Sequence, residues 1–452
     1  MRAPQGAAGG SAGAGDGAAG PAVAADVAAA LDRLAPDGPL GVAVSGGSDS
    51  VALLIAAQDW ARARGRALRV ATVDHGLRAA AAGEARDVAR LAAGLGLSHD
   101  TLAAQPFEPG NLAARARAAR LGLLAAWARQ AGLAAVLLGH TLDDQAETVL
   151  MRLGRGSGAD GLSGMAEAGR QRGVLWLRPL LGLRRAALRA FLAARGIGWI
   201  DDPTNADRAS LRVRVRAAMA ALEAAGIAPG MIAASAARLA AQRRVLAQVT
   251  ADLAARARRI GPAGEILIDR AALAGADPEI AGRLLADSIR AISGADYAPR
   301  GAPLAALAAG LCATPPRGAS LGGVLVRPAR GGQVLLCREP AAMAPPVPVG
   351  PDGAVWDGRW QVGPDDAGAG LSLGALGPQD VRTLSPALRP AGWEVMAHTV
   401  RIGLPAIRRQ GAVVAIALPG GGGAQDAAGG RDLVRLRLLW GDQWRYEENL
   451  GP

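Results

Sequence analysis

The run VAVSGGSDSVALL, residues 42–54, stops an apolar stretch at Ser45-Gly46-Gly47-Ser48-Asp49-Ser50 and resumes it at once. A plain turn needs one or two glycines, not three hydroxyls and a carboxylate around them. The pattern reads as a short buried strand over 41–44, a glycine loop, and a helix over 49–62. Backbone N–H groups in such a concave turn, at the start of a helix, hold a phosphate group. Gly46 and Gly47 allow close approach and positive φ, while Ser45, Ser48 and Ser50 add hydroxyl donors. Asp49 would repel a bare phosphate, which predicts a Mg²⁺ ion between the two. The pattern GxxxxGK[ST] is absent, and the chain contains no lysine to supply it. A glycine turn with an Asp or Ser helix cap is the plainer alternative for this loop taken alone.

The following sequence repeats the strand-then-helix alternation. Strands are expected at 68–76, 98–104 and 133–140, and helices at 83–96, 111–132 and from Thr141 onward. This alternation predicts a parallel sheet covered on both faces, with the ligand beyond the carboxyl ends of the strands. The segments just past those ends are Ser45–Ser50, Asp74–Arg78 and His140–Asp144. They are expected to converge on one crevice.

At 452 residues and 50% apolar, the chain can bury sizeable cores and holds two or three domains. The net charge of +11 suits a polyanionic partner, although an Ala/Gly/Arg/Pro-rich composition without lysine also reflects coding bias. Few exposed rings are available for base stacking. Cys312 and Cys337 are too far apart for a zinc or CxxC redox pair, so a reducing cytoplasm is expected. No apolar run is long enough to span a membrane, and residues 1–25 read as a disordered tail rather than a signal peptide. The expected organisation is a catalytic domain over 26–216 and a helical middle domain over 217–339. A Pro-rich linker over 340–353 and a small α+β domain over 354–452 complete it. A hairpin is expected within 322–339, and a flexible loop at 419–431.

SGGSDS, VDHGLR (73–78), GHTLDDQAET (139–148), RGSGADGLSGM (155–165), RPLL (178–181) and DDPTN (201–205) occur in this order. Ser45–Ser50 resembles the PP-loop of the N-type ATP pyrophosphatases, and the full set resembles the tRNA(Ile)-lysidine synthetase family. The resemblance covers residues 40–216 strongly, and 404–420 weakly resembles that family's C-terminal domain. It implies a PP-loop (adenine nucleotide alpha hydrolase-like) fold, ATP and Mg²⁺ as cosubstrate and cofactor, and free L-lysine and a CAU-anticodon tRNA(Ile) as substrates. By the same analogy a homodimer is expected. ATP would activate the C2 oxygen of the wobble cytidine as an adenylate, and the lysine side-chain amine would then displace AMP.

Residue roles follow from the resemblance and from spacing. Asp144 and Glu147, three apart on one helix face, are expected to bind lysine, with His140 and Asp144 around the reacting cytidine. Thr141 as N-cap with Asp144 at N3 is a structural account that can hold at the same time. Asp74 and His75 are expected at the ATP ribose or metal, with ordinary turn residues as the alternative. Arg117 or Arg120 resembles an arginine motif of the family and would neutralise charge at the α-phosphate. Arg212, Arg214 and Arg216 are expected in an extended segment, sharing one phosphate-facing side, with Arg212 nearest the reaction centre. Arg243 and Arg244 belong to a basic stretch over 207–260 that would track tRNA phosphates, a solvated helix surface being the alternative. Ala113, Leu121 and Val213 stand where the family has glutamate, tyrosine and asparagine. Two rivals remain open: another PP-loop tRNA-modifying ligase, and a tRNA-binding PP-loop protein without catalysis.

Overall fold

The computed structural model describes residues 19–76, 81–104, 112–201, 211–295, 297–363, 370–416, 418 and 436–438. The described residues divide into two compact units, one ending at Arg244 and one starting at Val245.

The first unit is built on strands β1 (Leu40–Ala43), β2 (Leu68–Asp74), β3 (Ser98–Ala103), β4 (Ala135–Leu138), β5 (Ala168–Gln171) and β6 (Val174–Leu177). Their order in the sheet is β3-β2-β1-β4-β6-β5, parallel except for β5 at the edge. The helices are α1 (Ala19–Leu34), α2 (Ser48–Arg64), α3 (Ala81–Gly94), α4 (Leu112–Gln130), α5 (Leu142–Leu153), α6 (Ala159–Leu162), α7 (Arg185–Ala193), α8 (Leu211–Ala224) and α9 (Pro229–Ala257). The two units meet in sequence within α9.

Successive strand residues face opposite sides, so β4 feeds two cores. Leu137 joins Val42, Leu53, Leu54, Leu177 and Phe191 in the layer that takes in α1, α2 and α7. Val136 and Leu138 join Leu124, Trp127 and Trp176 in the layer beneath α4. Each such side chain, taken out of water, contributes about 1.5–3 kcal/mol. Leu121 packs against this second layer. Between the cores, β1 is the point where chain order along the sheet reverses, from β2 on one side to β4 on the other. That is where ligands bind open α/β sheets.

The expected helices and strands over 41–153 are present with ends shifted by a few residues. Three expectations change. The first helix starts at Ala19, inside the span read as a tail. The segment read as an extended row of arginines is the helix α8. Its Ala- and Arg-rich sequence favours helix, and the alternation of Arg and Val is overridden.

The second unit combines helices α10 (Arg270–Ala274), α11 (Pro278–Ser293) and α12 (Ala302–Cys312) with an antiparallel sheet of β7 (Arg258–Ile260), β8 (Ile266–Asp269), β9 (Ala319–Leu321), β10 (Val324–Pro328) and β11 (Gln333–Arg338). The β10–β11 pair is the hairpin expected within 322–339. The third changed expectation concerns the Pro-rich span 340–353, which holds the short strand β12 (Val347–Pro348) paired to β15 (Leu371–Ala375). Strands β13 (Ala354–Trp356), β14 (Trp360–Val362), β16 (Pro405–Arg409), β17 (Ala412–Ile416) and β18 (Leu436–Leu438) and helices α13 (Gly377–Thr383) and α14 (His398–Ile402) complete the unit. Ala263, Leu335 and Cys337 share a core with Leu376, Trp393 and Leu404, so residues on both sides of 340–353 pack together. The loop expected at 419–431, Arg78 and Asp202–Asn205 lie outside the described residues. Among the described residues, no single helix is long and apolar enough to cross a membrane.

Candidate active site

The chain leaves β1 through Ser45 and turns at Gly46, whose φ of +86° is the left-handed region that favours glycine. A side chain there would also strike Ile200, whose N–H donates to the Gly46 carbonyl at 2.9 Å. Gly47 caps α2 without a side-chain hydrogen bond. The loop is tied internally: the Ser45 N–H donates to Ser50 Oγ at 3.1 Å, and the Ser50 hydroxyl donates to the Gly47 carbonyl at 2.9 Å. Ser48 Oγ donates to Asp49 Oδ1 at 3.1 Å. The result is a preformed concave turn at a helix N-terminus, with Ser48 and Ser50 buried beneath it. The simple Ser or Asp cap is therefore not how this helix starts.

The tip of β4 stands beside this loop. A β-carbon on Gly139 would fall 3.1 Å from Ser50 Cα and 3.3 Å from the Asp49 carbonyl carbon. A side chain there would press the two backbones apart by a few tenths of an ångström. Beyond Gly139, His140 leads into α5, where Thr141 and Asp144 form a reciprocal capping box. Asp144 Oδ2 accepts from the Thr141 N–H at 2.9 Å and from its hydroxyl at 3.0 Å. Asp144 is both a cap and a site residue.

The carboxylates are not open. Arg185, at the start of α7, donates through Nε to Asp49 Oδ2 at 2.8 Å and through Nη2 to Asp144 Oδ1 at 3.1 Å. Its Nη1 lies 3.9 Å from Glu147. Asp143 fixes α7 by accepting from the Arg185 backbone N–H at 2.7 Å and from Arg184 Nε at 3.1 Å. Glu147, only 2% exposed, accepts from Arg212 at 3.0 Å and Arg216 at 2.7 Å. Arg212 and Arg216 are four apart on helix α8 and share a face, whereas Arg214 points elsewhere and is exposed. One expectation is thereby corrected: the three arginines do not form one row, because a helix turns 100° per residue. Glu147 is thus engaged by Arg212 and Arg216, with Arg185 at 3.9 Å.

Burial pushes the Asp144 carboxyl up, but Arg185, the Thr141 N–H and Arg212 together hold it below the usual range. For Asp49 burial wins over Arg185, and its carboxyl is pushed up. Arg185 is itself partly buried, yet Asp49 and Asp144 hold it firmly charged.

Cations gather around the other side of the crevice. Burial, then Arg178, Arg120 and Arg117, push the His140 imidazole far down, despite Asp144. It is uncharged at neutral pH, and its Nδ1 is buried with no hydrogen-bond partner among the described residues. Arg120 is pushed down to about 10 by burial and by Arg117 and Arg212. His75 is lowered by burial and by Arg120, while Asp74 accepts from the Gly76 N–H at 2.8 Å, an ordinary turn bond. Arg117, Arg120, His75, His140, Asp144 and Arg212 thus share one electrostatic neighbourhood. Arg243 is buried, so it does not belong to a solvent-facing basic surface, and Arg244 is exposed. Sequence reasoning gave no role to Arg185 or Arg178, although Arg178 opens the RPLL motif and Arg185 lies four residues past its end.

A phosphate-cradling loop at the reversal point of a parallel sheet defines an α/β nucleotide-binding protein of the PP-loop class, and residues 22–222 match the PP-loop domain family. A tRNA(Ile)-lysidine synthase of Ruegeria pomeroyi is 45% identical over 72% of this chain and 76% of the relative. Those of Hyphomonas neptunium and Methylobacterium sp. (strain 4-46) are 43% and 44% identical, over 65% and 66% of this chain and 79% and 88% of theirs. The chain belongs to the tRNA(Ile)-lysidine synthase family.

Proposed function

We propose that this chain ligates free L-lysine to C2 of the wobble cytidine, C34, of a CAU-anticodon tRNA(Ile), consuming ATP and releasing AMP and pyrophosphate. The observation that carries this reading is the meeting of the glycine loop with His140 and Asp144 across the Gly139–Ser50 contact, in a chain of this family.

In the first step the C2 carbonyl oxygen attacks the α-phosphorus; an O–P bond forms, and the bond to pyrophosphate breaks. The Ser45–Ser50 loop and the N-terminus of α2 hold the departing pyrophosphate. Arg117 and Arg120 neutralise charge at the α-phosphate, and Asp74 and His75 border the nucleoside end. Mg²⁺ fits Asp49, because this ion is commonly held by one carboxylate together with substrate phosphates and water. When bound, it screens the polyphosphate charge. Among the described residues there is no cluster of three metal-ligating side chains, so phosphate oxygens and water would complete such a site, and Asp49 would exchange its bond to Arg185 for the ion.

In the second step the lysine amine attacks C2, and AMP departs with the oxygen. Free lysine has a side-chain pKa near 10.4, so it arrives as an ammonium and has to lose a proton. Asp144, held ionised, receives that ammonium in place of Arg185 or Arg212 and accepts its proton. Neutral His140 hydrogen-bonds the cytidine. Glu147 acts by holding Arg212 and Arg216. Exposed Arg214 and Arg244 contact tRNA phosphates, which makes binding salt-sensitive. The resemblance also supports a homodimer and a cytoplasmic location.

The test incubates purified protein with ATP, labelled lysine and a panel of tRNAs. Label entering only the CAU-anticodon tRNA(Ile), with equimolar AMP, is the expected result. ATP turnover without lysine transfer points to another PP-loop ligase, and tRNA binding without turnover to a non-enzyme.

A further inference from the structure

Arg178 has no task in the steps above. It directly follows β6, whose Val136–Trp176 and Leu137–Leu177 pairings set it beside Leu138, two residues before His140. It is 5% exposed. Its Nη1 donates to the Ala166 carbonyl at 2.9 Å, its Nε is buried without a partner, and among the described residues no carboxylate lies within ion-pair distance. Arg185, Arg212 and Arg216, by contrast, each rest on a carboxylate. Burial, Arg117 and Arg152 push Arg178 down to about 10, so its surroundings add positive charge and do not balance it. A buried guanidinium without a counter-ion is costly unless a ligand supplies one.

The sheet order says which ligand. The loops after β2 and β1, where the nucleotide is read to lie, are on one side of β4, and Arg178 is on the other. Two strand spacings separate it from the tip of β1, about 10 Å. That sets it apart from the Ser45–Ser50 loop, beside the tip of β4 that leads to His140.

We propose that Arg178 binds the α-carboxylate of free lysine, fixing the zwitterion while its side-chain ammonium meets Asp144. This inference rests on the lysine-ligating function proposed above. A guanidinium fork pairs a carboxylate with two parallel hydrogen bonds. Arg178 would therefore distinguish the free amino acid from a plain diamine, which Asp144 alone cannot do.

The experiment compares L-lysine with cadaverine, which is lysine without its carboxylate, as the amine in the transfer assay. Wild type is expected to show a KM for cadaverine about 10- to 100-fold higher than for lysine, the scale of one charge-assisted hydrogen-bonded pair. Arg178→Gln should raise the KM for lysine to the level of cadaverine, leaving the cadaverine and ATP KM values within about twofold. Arg178→Lys should recover part of the loss. A variant that lowers lysine and cadaverine use equally, or raises the KM for ATP instead, overturns the assignment. So does a wild-type enzyme that uses both amines alike, a result that does not depend on the variants folding. Transfer of neither amine by wild type removes the underlying function instead.

Discussion

Gly139 lies against the first turn of α2 so closely that a β-carbon on it would stand 3.2 Å from the amide nitrogen of Ser50. The contact sets the distance between the phosphate cradle and the His140–Asp144 corner. Gly139→Ala forces one backbone away from the other, an overpacking cost of about 1–3 kcal/mol. Affinity for ATP is expected to fall about tenfold or more, with the fold retained. Equilibrium binding of ATP checks this; unchanged affinity would mean that the cradle is not set by this contact.

Glu147 holds α8 through Arg212 and Arg216. Breaking a buried pair by removing one partner costs about 3–5 kcal/mol, but both arginines are more than a third exposed, so solvent screening reduces this to about 1–3 kcal/mol. Glu147→Gln should lower the first unfolding transition on heating, and Arg216→Gln should lower it less, because Arg212 remains. The reverse order would contradict the arrangement.

Arg185 competes with any cation for Asp49. A partly buried pair of this kind is worth about 1 kcal/mol, so Arg185→Gln should reach half-maximal ATP binding at about fivefold lower Mg²⁺. Titrating Mg²⁺ against ATP binding measures it. A higher requirement in the variant would show that Arg185 supports the ion rather than replacing it.

The pH dependence has a definite sign. His140 is depressed from its ordinary value of 6.5, so the unfolded chain takes up its proton first, and stability falls as pH drops below that value. The Asp144 carboxyl is also depressed and contributes above its ordinary 3.8, a contribution lost on further acidification. Asp49, raised, works in the opposite direction. His75 and His99 share the His140 sign, so the informative comparison is wild type against His140→Asn between pH 7 and 5. The variant should lose less stability over that interval, and the His140 ring should show no titration there by NMR. A His140 inflection near pH 6.5 would contradict its burial among arginines.

The glycine loop and its flanking elements were legible because short-range chemistry dictates them: a turn needing positive φ at Gly46, apolar runs on both sides, and polar residues only at the strand tip. The Asp144 cap was legible for the same reason, since Thr141 is three residues away. The Arg185 bridge was not. Its partners Asp144 and Asp49 lie 41 and 136 residues distant in the chain, and nothing local marks a guanidinium that serves both. The arginines at 212, 214 and 216 misled for a different reason. Alternation suggests a strand, but propensity and the i,i+4 grip on Glu147 favour a helix, which divides the row into a clamp and one exposed charge. Arg243 shows the limit of reading charge as surface, because it is buried.

The most direct measurement omits lysine. Protein, tRNA and ATP labelled in the α-phosphate are mixed and quenched rapidly, and the RNA is examined for bound label. The expected result is AMP joined to a single cytidine of the CAU-anticodon tRNA(Ile), discharged as free AMP when lysine is added. Label that never enters the RNA, or that lysine fails to release, would contradict it.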